Sequence, residues 1–361
     1  MPTIDERIKE IEDEIKKTQY NKATEHHIGL LKAKMAKLQI ESKSHKKGGG
    51  YGFSVAKSGD ATVSLVGFPN VGKSSILNRL TNSESEVGAF AFTTLRVIPG
   101  TLVYRGAEIQ ILDLPGIIEN ASYGAGRGRE ILSSVRASDL IVIVTDPDTG
   151  GLDKIVSELY NAGIVVNKKR KNVEIKKTVS GGIKIHKPRT LNIDEDYIKE
   201  IVKEFKVSNC DLYIRENVSV ENIIEALQGG YVYIPAIIVV NKIDTAKGNI
   251  NTQELEKYGP VTLVSAKTGY GTESLKEAIF NSLNMIRIYM RDKSGKVDTE
   301  KPLILVKGSK VREVCRKINR SMIDTFRYAI ISGKNRPVGE QRVGLDYTLK
   351  DEDTVTLISR N

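Results

Sequence analysis

The stretch that decides the fold is Gly67–Ser74, with the sequence GFPNVGKS, between the apolar run Ala61–Val66 and the short segment Ile76–Leu80. Its glycines permit a tight loop whose backbone N–H groups point inward and bind phosphate oxygens. In such a loop Lys73 reaches the β- and γ-phosphates, and Ser74 offers its hydroxyl to Mg²⁺. The stretch therefore predicts a strand, a phosphate-binding loop and a helix, in that order.

Two further segments complete the predicted phosphate and metal site. Asp113 ends the next strong strand and is expected to hold Mg²⁺ through a water, while the N–H of Gly116 contacts the γ-phosphate. Thr93 or Thr94, in the intervening loop, is expected to supply a second hydroxyl to the metal. The predicted phosphate-binding residues are Gly67, Asn70, Val71, Gly72, Lys73, Ser74, Ser75 and Gly116, of which Lys73, Asn70 and Gly116 are expected to act in catalysis.

The base is specified by Asn241–Asp244, with the sequence NKID. A carboxylate at Asp244 accepts hydrogen bonds from the N1–H and the exocyclic amine of guanine, and adenine would leave these groups unpaired. Asn241 is expected to support the loop and the base edge, and the Lys242 stem to lie along the ring. Ser265–Lys267, sequence SAK, is expected to give a backbone N–H to guanine O6 (Ser265, Ala266, Lys267).

The spacing of these segments predicts an α/β fold with a mostly parallel sheet. Short apolar runs each end in a loop that carries one of the motifs, and ligands of such sheets bind at the carboxyl ends of the strands. A length of 361 residues suits two or three domains. The predicted parts are a helical hairpin and hinge at 1–50, a nucleotide domain at 51–165 and 234–290, a basic α+β insertion at 166–233, and a β-grasp domain at 291–361.

Local patterns predict further elements. Isoleucines and leucines at three- and four-residue spacing indicate two helices before residue 40. In the insertion, the apolar residues on either side of Gly181-Gly182 predict a β-hairpin, and two helices follow it. Residues 291–296 are interpreted as a linker, and Ser309 is expected to cap a helix over Val311–Ile318.

The charge distribution points to a polyanion. The net charge is +10, but residues 166–189 alone carry nine basic residues against Glu174, and residues 1–50 and 301–361 are also basic. The basic charge thus lies outside the nucleotide motifs, which favours a nucleic acid over a membrane as partner; lysines that merely solubilise exposed faces are the alternative. With few aromatic residues in the insertion, backbone contact is expected more than base readout. The RNA-binding candidates are Lys168, Lys169, Arg170, Lys171, Lys176 and Lys177.

Other classes of protein find little support in the sequence. No apolar run approaches the length of a membrane helix, and Cys210 and Cys315 lie far apart, so a cytoplasmic monomer is expected. The four histidines have no metal-ligand spacing with the two cysteines. An ATP-using enzyme such as a kinase is disfavoured by Asp244.

With these motifs in hand, the chain resembles the developmentally regulated GTP-binding protein family, within the Obg-like group of GTPases. The resemblance rests on GFPNVGKS, AFTTL, DLPGII, GAGRGRE, NKID and SAK, and on a C-terminal module of the TGS type beginning near Lys301. It implies GTP hydrolysis coupled to ribosomes or other translation components, often with a regulatory protein partner. It also implies that the insertion shares its fold with a ribosomal protein.

The sequence does not decide which group supplies the positive charge that assists hydrolysis. Ras-like enzymes place a glutamine directly after the glycine of the aspartate motif, where this chain has Ile117, so hydrolysis is expected to be slow. The Obg-like pattern implies that Asn70 helps to coordinate K⁺ beside the phosphates. Arg127 and Arg129 are the rival donors of charge, and Asn70 would then be only a residue that tolerates turn geometry. A binding protein without useful turnover is the competing function.

Overall fold

The computed structural model describes residues 3–19, 21–45, 58–81, 98–114, 126–147, 150–246, 250–292, 294–333 and 339–360. Its helices are α1 Ile4–Lys17, α2 Glu25–His45, α3 Lys73–Leu80, α4 Gly126–Arg136, α5 Leu152–Asn161, α6 Glu195–Glu204, α7 Val220–Gln228, α8 Gln253–Glu256, α9 Thr272–Ser282, α10 Val311–Ile318 and α11 Met322–Thr325. Its strands are β1 Ala61–Gly67, β2 Ile98–Tyr104, β3 Ala107–Asp113, β4 Leu140–Thr145, β5 Ile164–Val166, β6 Val173–Lys177, β7 Ile183–His186, β8 Cys210–Ile214, β9 Val232–Ile234, β10 Ala236–Val240, β11 Val261–Leu263, β12 Met285–Met290, β13 Leu303–Val306, β14 Phe326–Ser332, β15 Gln341–Val343 and β16 Asp353–Ser359. Within these residues, no helix combines the length and the apolar composition that crossing a bilayer requires.

The chain forms two units, which are described one by one. Residues 1–51 and 169–233 make one unit, and residues 52–168 and 234–361 make the other. The sequence treats the helical hairpin and the insertion as separate parts, whereas in the structure they share a unit.

The larger unit contains a six-stranded sheet in the order β11-β10-β4-β1-β3-β2. All neighbouring pairs are parallel except β2 with β3, so the predicted mostly parallel α/β sheet is confirmed, with one antiparallel edge strand that the sequence did not reveal. β1 and β4 are buried along their whole length, as expected for strands covered on both faces. The strand order gathers the carboxyl ends of β1, β3, β10 and β11, where the motifs lie.

The C-terminal part of the same unit is a five-stranded sheet in the order β13-β12-β16-β14-β15. The linker predicted at 291–296 is wrong, because β12 pairs with β13 and β16 and therefore belongs to this sheet. The segment is instead a turn between β12 and β13, in which Asp292 Oδ1 accepts from the backbone N–H of Ser294 and Lys296, each at 2.9 Å. The predicted Ser309 cap is also wrong: the cap position is Lys310, whose N–H donates to the Glu313 carboxylate at 2.8 Å.

The smaller unit begins with the predicted helical hairpin. Ile11 of α1 packs with Leu31 and Leu38 of α2, at the spacing that the sequence indicated. The opposite side of α2 carries small residues, and Ala33 and Ala36 are buried among residues of α6, α7 and the sheet of the insertion. Helix α2 is therefore buried on two faces, and the second face explains why the hairpin and the insertion form one unit.

Contacts with α6 and α7 fix the second face of α2. A Cβ at Gly29 would collide with the Tyr197 hydroxyl, so glycine is required for this close approach. Around the apolar contact, Lys32 Nζ lies 2.6 Å from the carboxylate of Glu221 in α7. A rim of half-exposed ion pairs thus surrounds a stripe of small residues.

The insertion contains a three-stranded sheet whose order, β6-β8-β7, differs from the prediction. The predicted β-hairpin is wrong because β8 lies between β6 and β7, antiparallel to the first and parallel to the second. The sequence CDLYI of β8 (Cys210–Ile214) alternates apolar and polar residues, and its inward residues Cys210, Leu212 and Ile214 are buried. This central strand was missed because it is short and follows the sheet's other strands by more than twenty residues.

The two-faced packing of α2 generates a stability prediction. Ala33→Leu adds volume to a fully buried position and should weaken the local structure by about 1–3 kcal/mol. The same change at the exposed Lys34, one position along, is the matched control. Hydrogen exchange of the α2 and α6 amides should be about 5- to 150-fold faster in Ala33→Leu and little changed in Lys34→Leu. Equal exchange in both variants would contradict burial of this face.

Candidate nucleotide-binding site

The loop between β1 and α3 wraps around the side chain of Lys73. The ammonium group donates to the carbonyl oxygens of Gly67 at 3.1 Å and Phe68 at 2.8 Å, and the residue is buried. Burial lowers the pKa of Lys73, and the neighbouring Asp113 carboxylate opposes that shift. The charge is thus held inside the loop, where a phosphate group would become its partner.

Ser74 and Asp113 meet at the base of this loop. The Ser74 hydroxyl, in the first turn of α3, donates to a carboxylate oxygen of Asp113 at the end of β3. A hydroxyl and a carboxylate side by side are the oxygen ligands that Mg²⁺ prefers, and Mg²⁺ is the metal that GTPase folds generally use. These two residues therefore fit the predicted metal position.

Asn241 connects the loop after β1 with the two loops that were predicted to bind the base. Its buried side chain donates from Nδ2 to the carbonyl of Val71 at 2.9 Å, and its Oδ1 accepts from the N–H of Ala266 at 3.0 Å. Gly72 has a φ of 90°, and a Cβ there would collide with Asn241 Nδ2. The Asn241 amide is thus used by the protein itself, and it positions both halves of the site.

The structure limits which backbone N–H groups of the SAK segment are available for the predicted bond to guanine O6. Because the N–H of Ala266 is bonded to Asn241, it already has an acceptor. The N–H of Lys267 has no hydrogen bond within the described part of the chain. The predicted bond to guanine O6 is therefore expected from the N–H of Lys267.

The carboxylate predicted to bind guanine, Asp244, is held by a serine in the next loop. Asp244 Oδ1 accepts from the Ser265 hydroxyl at 2.6 Å, and the same hydroxyl accepts from the N–H of Thr268 at 3.2 Å. The Ser265 hydrogen bond lowers the pKa of Asp244, so the carboxylate is ionised at neutral pH. An ionised, oriented carboxylate is what pairing with two guanine donors needs.

Lys242 and two residues that the sequence analysis did not select complete the surroundings. Lys242 has a φ of 59°, and its ammonium lies 3.1 Å from the carboxylate of Asp146, which directly follows β4. Arg79, from α3, donates to the carbonyl oxygens of Ala266 at 3.1 Å and Lys267 at 2.9 Å. The position of Asp146, a carboxylate directly after a buried strand, could have indicated a site residue from the sequence. Nothing near Arg79 in the sequence indicates its contact with Ala266 and Lys267.

The remaining predicted residues of the phosphate and metal site fall into two groups. Thr93, Thr94, Gly116 and Ile117 lie outside the described residues, so their predicted roles stay predictions. Ser75 lies exposed in the first turn of α3. Asn70 is exposed with a φ of 63°, and its amide makes no hydrogen bond within the described residues.

The basic candidates of the insertion differ in their surroundings. Lys168, Lys169 and Arg170 are exposed and make no ion pair within the described residues. Lys171 instead pairs with Glu216 at 2.8 Å, and this hydrogen bond lowers the pKa of Glu216. Lys176 lies 3.5 Å from Glu174, while Lys177 is exposed.

A phosphate loop, an adjoining hydroxyl–carboxylate pair and the oriented Asp244 carboxylate on a mostly parallel sheet are the features of a GTP-binding protein of the P-loop GTPase class. Residues 62–177 match the family model described as "50S ribosome-binding GTPase", residues 180–285 the "C-terminal region of MMR_HSR1 domain", and residues 286–359 the "TGS domain". The chain belongs to the developmentally regulated GTP-binding protein family.

Relatives that match over nearly their whole length support the assignment to this family. Developmentally-regulated G-protein 3 of Arabidopsis thaliana is 42% identical, with 100% of each chain covered. Developmentally-regulated GTP-binding protein 1 of Xenopus laevis is 40% identical over 98% of each chain. An uncharacterized GTP-binding protein of Methanocaldococcus jannaschii is 47% identical over 98% of this chain and 93% of its own. The similarity therefore extends beyond the nucleotide domain to both ends of the chain.

The geometry around Asp244 generates a specificity prediction. Asp244→Asn should lose GTP affinity and gain affinity for xanthosine triphosphate, whose ring carries a carbonyl where guanine has its amine. ATP should bind the unchanged protein at least about 10³-fold more weakly than GTP. Titration calorimetry with the three nucleotides measures both effects, and comparable ATP and GTP affinities would contradict the assigned base.

Proposed function

We propose that this chain hydrolyses GTP slowly, with stimulation by K⁺, and acts as a nucleotide switch on ribosomes or other translation components. The observation that carries hydrolysis is the convergence of Lys73, Ser74 and Asp113 at the carboxyl ends of β1 and β3. Lys73 would bind the phosphates, and Ser74 with Asp113 would hold Mg²⁺. The metal would neutralise charge on the phosphate oxygens as it develops.

Two features support slow, cation-assisted turnover. The apolar side chain of Ile117 occupies the sequence position from which Ras-like enzymes orient the attacking water. Asn70 is exposed in the middle of the phosphate loop, and its amide oxygen makes no hydrogen bond within the described residues, so it is available to a monovalent cation. Such an ion would supply the positive charge that other GTPases take from an arginine.

The translation role is supported by the basic insertion and by the family model matched at 62–177, whose description names ribosome binding. Lys168, Lys169 and Arg170 present three exposed cations side by side. Polyanions bind such clusters by releasing counterions. A cytoplasmic monomer that works with a regulatory protein partner completes the proposal.

The cation proposal predicts a rate difference. Replacing Na⁺ with K⁺ at constant ionic strength should raise single-turnover GTP hydrolysis about tenfold, equivalent to ~1.4 kcal/mol of barrier. Asn70→Ala should remove the difference while GDP affinity is retained. Equal rates in the two salts would transfer the role to Arg127 or Arg129, and an absence of turnover in either would favour the binding protein without hydrolysis.

The ribosome proposal predicts a change in salt dependence. Alanine at Lys168, Lys169 and Arg170 together should weaken ribosome co-sedimentation and lower the salt slope by about 0.7–0.9 for each lost phosphate contact. Lys171 is left intact because its removal would strip Glu216 of its cation.

A second triple variant controls for net charge. Alanine at the exposed Lys9, Lys16 and Lys17 of α1 removes the same charge from another part of the chain. GDP affinity should be unchanged in both variants. If the two variants lose ribosome binding equally, total charge rather than the insertion governs the association.

A further inference from the structure

The sheet of the insertion has one covered face and one open face. Val173, Leu212 and Ile214 point inward and pack in the core that this unit shares with α2, α6 and α7. The side chains that alternate with them point away from that core. They are Glu174 and Lys176 on β6, Asp211 and Tyr213 on β8, and Lys184 and His186 on β7, with Arg215 directly after β8. We call these seven residues the open sheet face.

The centre of the open sheet face is a pair of stacked rings. Tyr213 lies opposite His186 in the register, and their ring centroids are 4.5 Å apart with planes inclined by 9°. Half of the His186 side chain is exposed, and β7, which carries it, is the edge strand of the sheet. The stack therefore ends in an aromatic surface that is open to solvent.

Cations surround the Tyr213 ring. Lys176 Nζ is 5.3 Å and the Arg215 guanidinium carbon 5.9 Å from the ring centroid, and both side chains are more than half exposed. Lys184 and Lys176 lie opposite the same residue, Asp211, on either side of β8. Strand alternation therefore places Lys176 and Lys184 on the same face, although β6 and β7 do not form the predicted hairpin.

Two carboxylates distinguish this face from a surface that binds only the phosphate backbone of a nucleic acid. Glu174 lies 3.0 Å from Arg215, and Asp211 lies 3.4 Å from His186. Carboxylates repel phosphates but accept hydrogen bonds from the amino groups of bases. A mixture of rings, cations and carboxylates on one sheet suits bases that are unstacked and turned toward the protein, which only single strands offer.

We propose that the open sheet face binds single-stranded RNA, with an unpaired base continuing the His186–Tyr213 stack and Lys176, Lys184 and Arg215 contacting the flanking backbone. The proposal rests on the translation role proposed above and identifies the RNA contact within it. It differs from the expectation that backbone contact outweighs base readout, because that expectation counted aromatic residues along the sequence and did not anticipate two rings meeting across strands.

The test uses the full chain and fluorescein-labelled twelve-nucleotide RNAs, one of uridines and one of mixed sequence, by fluorescence anisotropy. His186→Ala removes the ring that the base would contact and should weaken RNA binding about 5- to 150-fold, the range for losing a base–aromatic stack. Tyr213→Ala removes the ring behind His186 and should also weaken binding, with the salt slope unchanged. Tyr213→Phe keeps the ring and should bind like the parent. Unchanged affinity in Tyr213→Ala, or equal losses in the alanine and phenylalanine variants, would overturn the proposal.

Tyr328 provides the matched control. It also lies on a sheet and is flanked by two arginines, Arg342 at 4.9 Å and Arg327 at 5.9 Å from its ring, but has no stacked ring partner within the described residues. Tyr328→Ala should therefore bind RNA like the parent; a loss in Tyr328→Ala with none in Tyr213→Ala would move the RNA site to the TGS domain and overturn the proposal.

Ribosome co-sedimentation of the same variants separates this proposal from the one on which it rests. If the parent chain binds ribosomes and Tyr213→Ala binds equally well, the open sheet face is not the contact, and the translation role stands. If the parent binds single-stranded RNA through Tyr213 but no ribosomes, the open sheet face stands and the translation role fails. A matching DNA oligonucleotide that binds as tightly as the RNA would overturn the assignment to RNA.

Discussion

The site depends on one buried side chain, Asn241, because its amide holds three loops together. It hydrogen-bonds the phosphate loop at Val71 and the last base-reading loop at Ala266, while its own backbone N–H donates to Thr145 of β4 at 2.8 Å. A buried amide that loses one partner costs about 1–3 kcal/mol, so the loops are fixed relative to each other. The loops predicted to bind phosphate and guanine therefore share a single anchor, and a Cβ at Gly72, whose φ is 90°, would collide with the Nδ2 of Asn241.

The smaller unit depends on helix α2, which is buried on two faces. One face of α2 carries large apolar residues toward α1, and the other carries Gly29, Ala33 and Ala36 toward the insertion. Small side chains allow helices to approach closely, and ion pairs such as Lys32 with Glu221 surround the contact. Two segments that lie more than a hundred residues apart in sequence thus form one unit with a common core.

The tertiary structure also places the basic residues of the insertion in different surroundings. Along the sequence, residues 166–189 carry nine basic residues and a single acidic residue, Glu174. In the structure, Lys171 forms an ion pair with Glu216, and residues 168–170 are exposed. Lys176 lies over the Tyr213 ring on the open sheet face. The same charge therefore divides into ion-paired, exposed and ring-flanking groups, a division that a count of residues does not contain.

The sequence by itself determined that this is a GTP-binding protein with a P-loop fold, because GFPNVGKS, DLPG, NKID and SAK each encode a loop whose predicted function depends on local spacing and on the strand before it. It also determined most helices and the main parallel strands, whose periodicity is local. Only the tertiary structure decided that β8 separates β6 from β7, that β12 joins the C-terminal sheet, and that Tyr213 stacks on His186. These features arise from pairing between distant strands, and the hydrogen bonds that select one partner strand over another leave no local pattern in the chain.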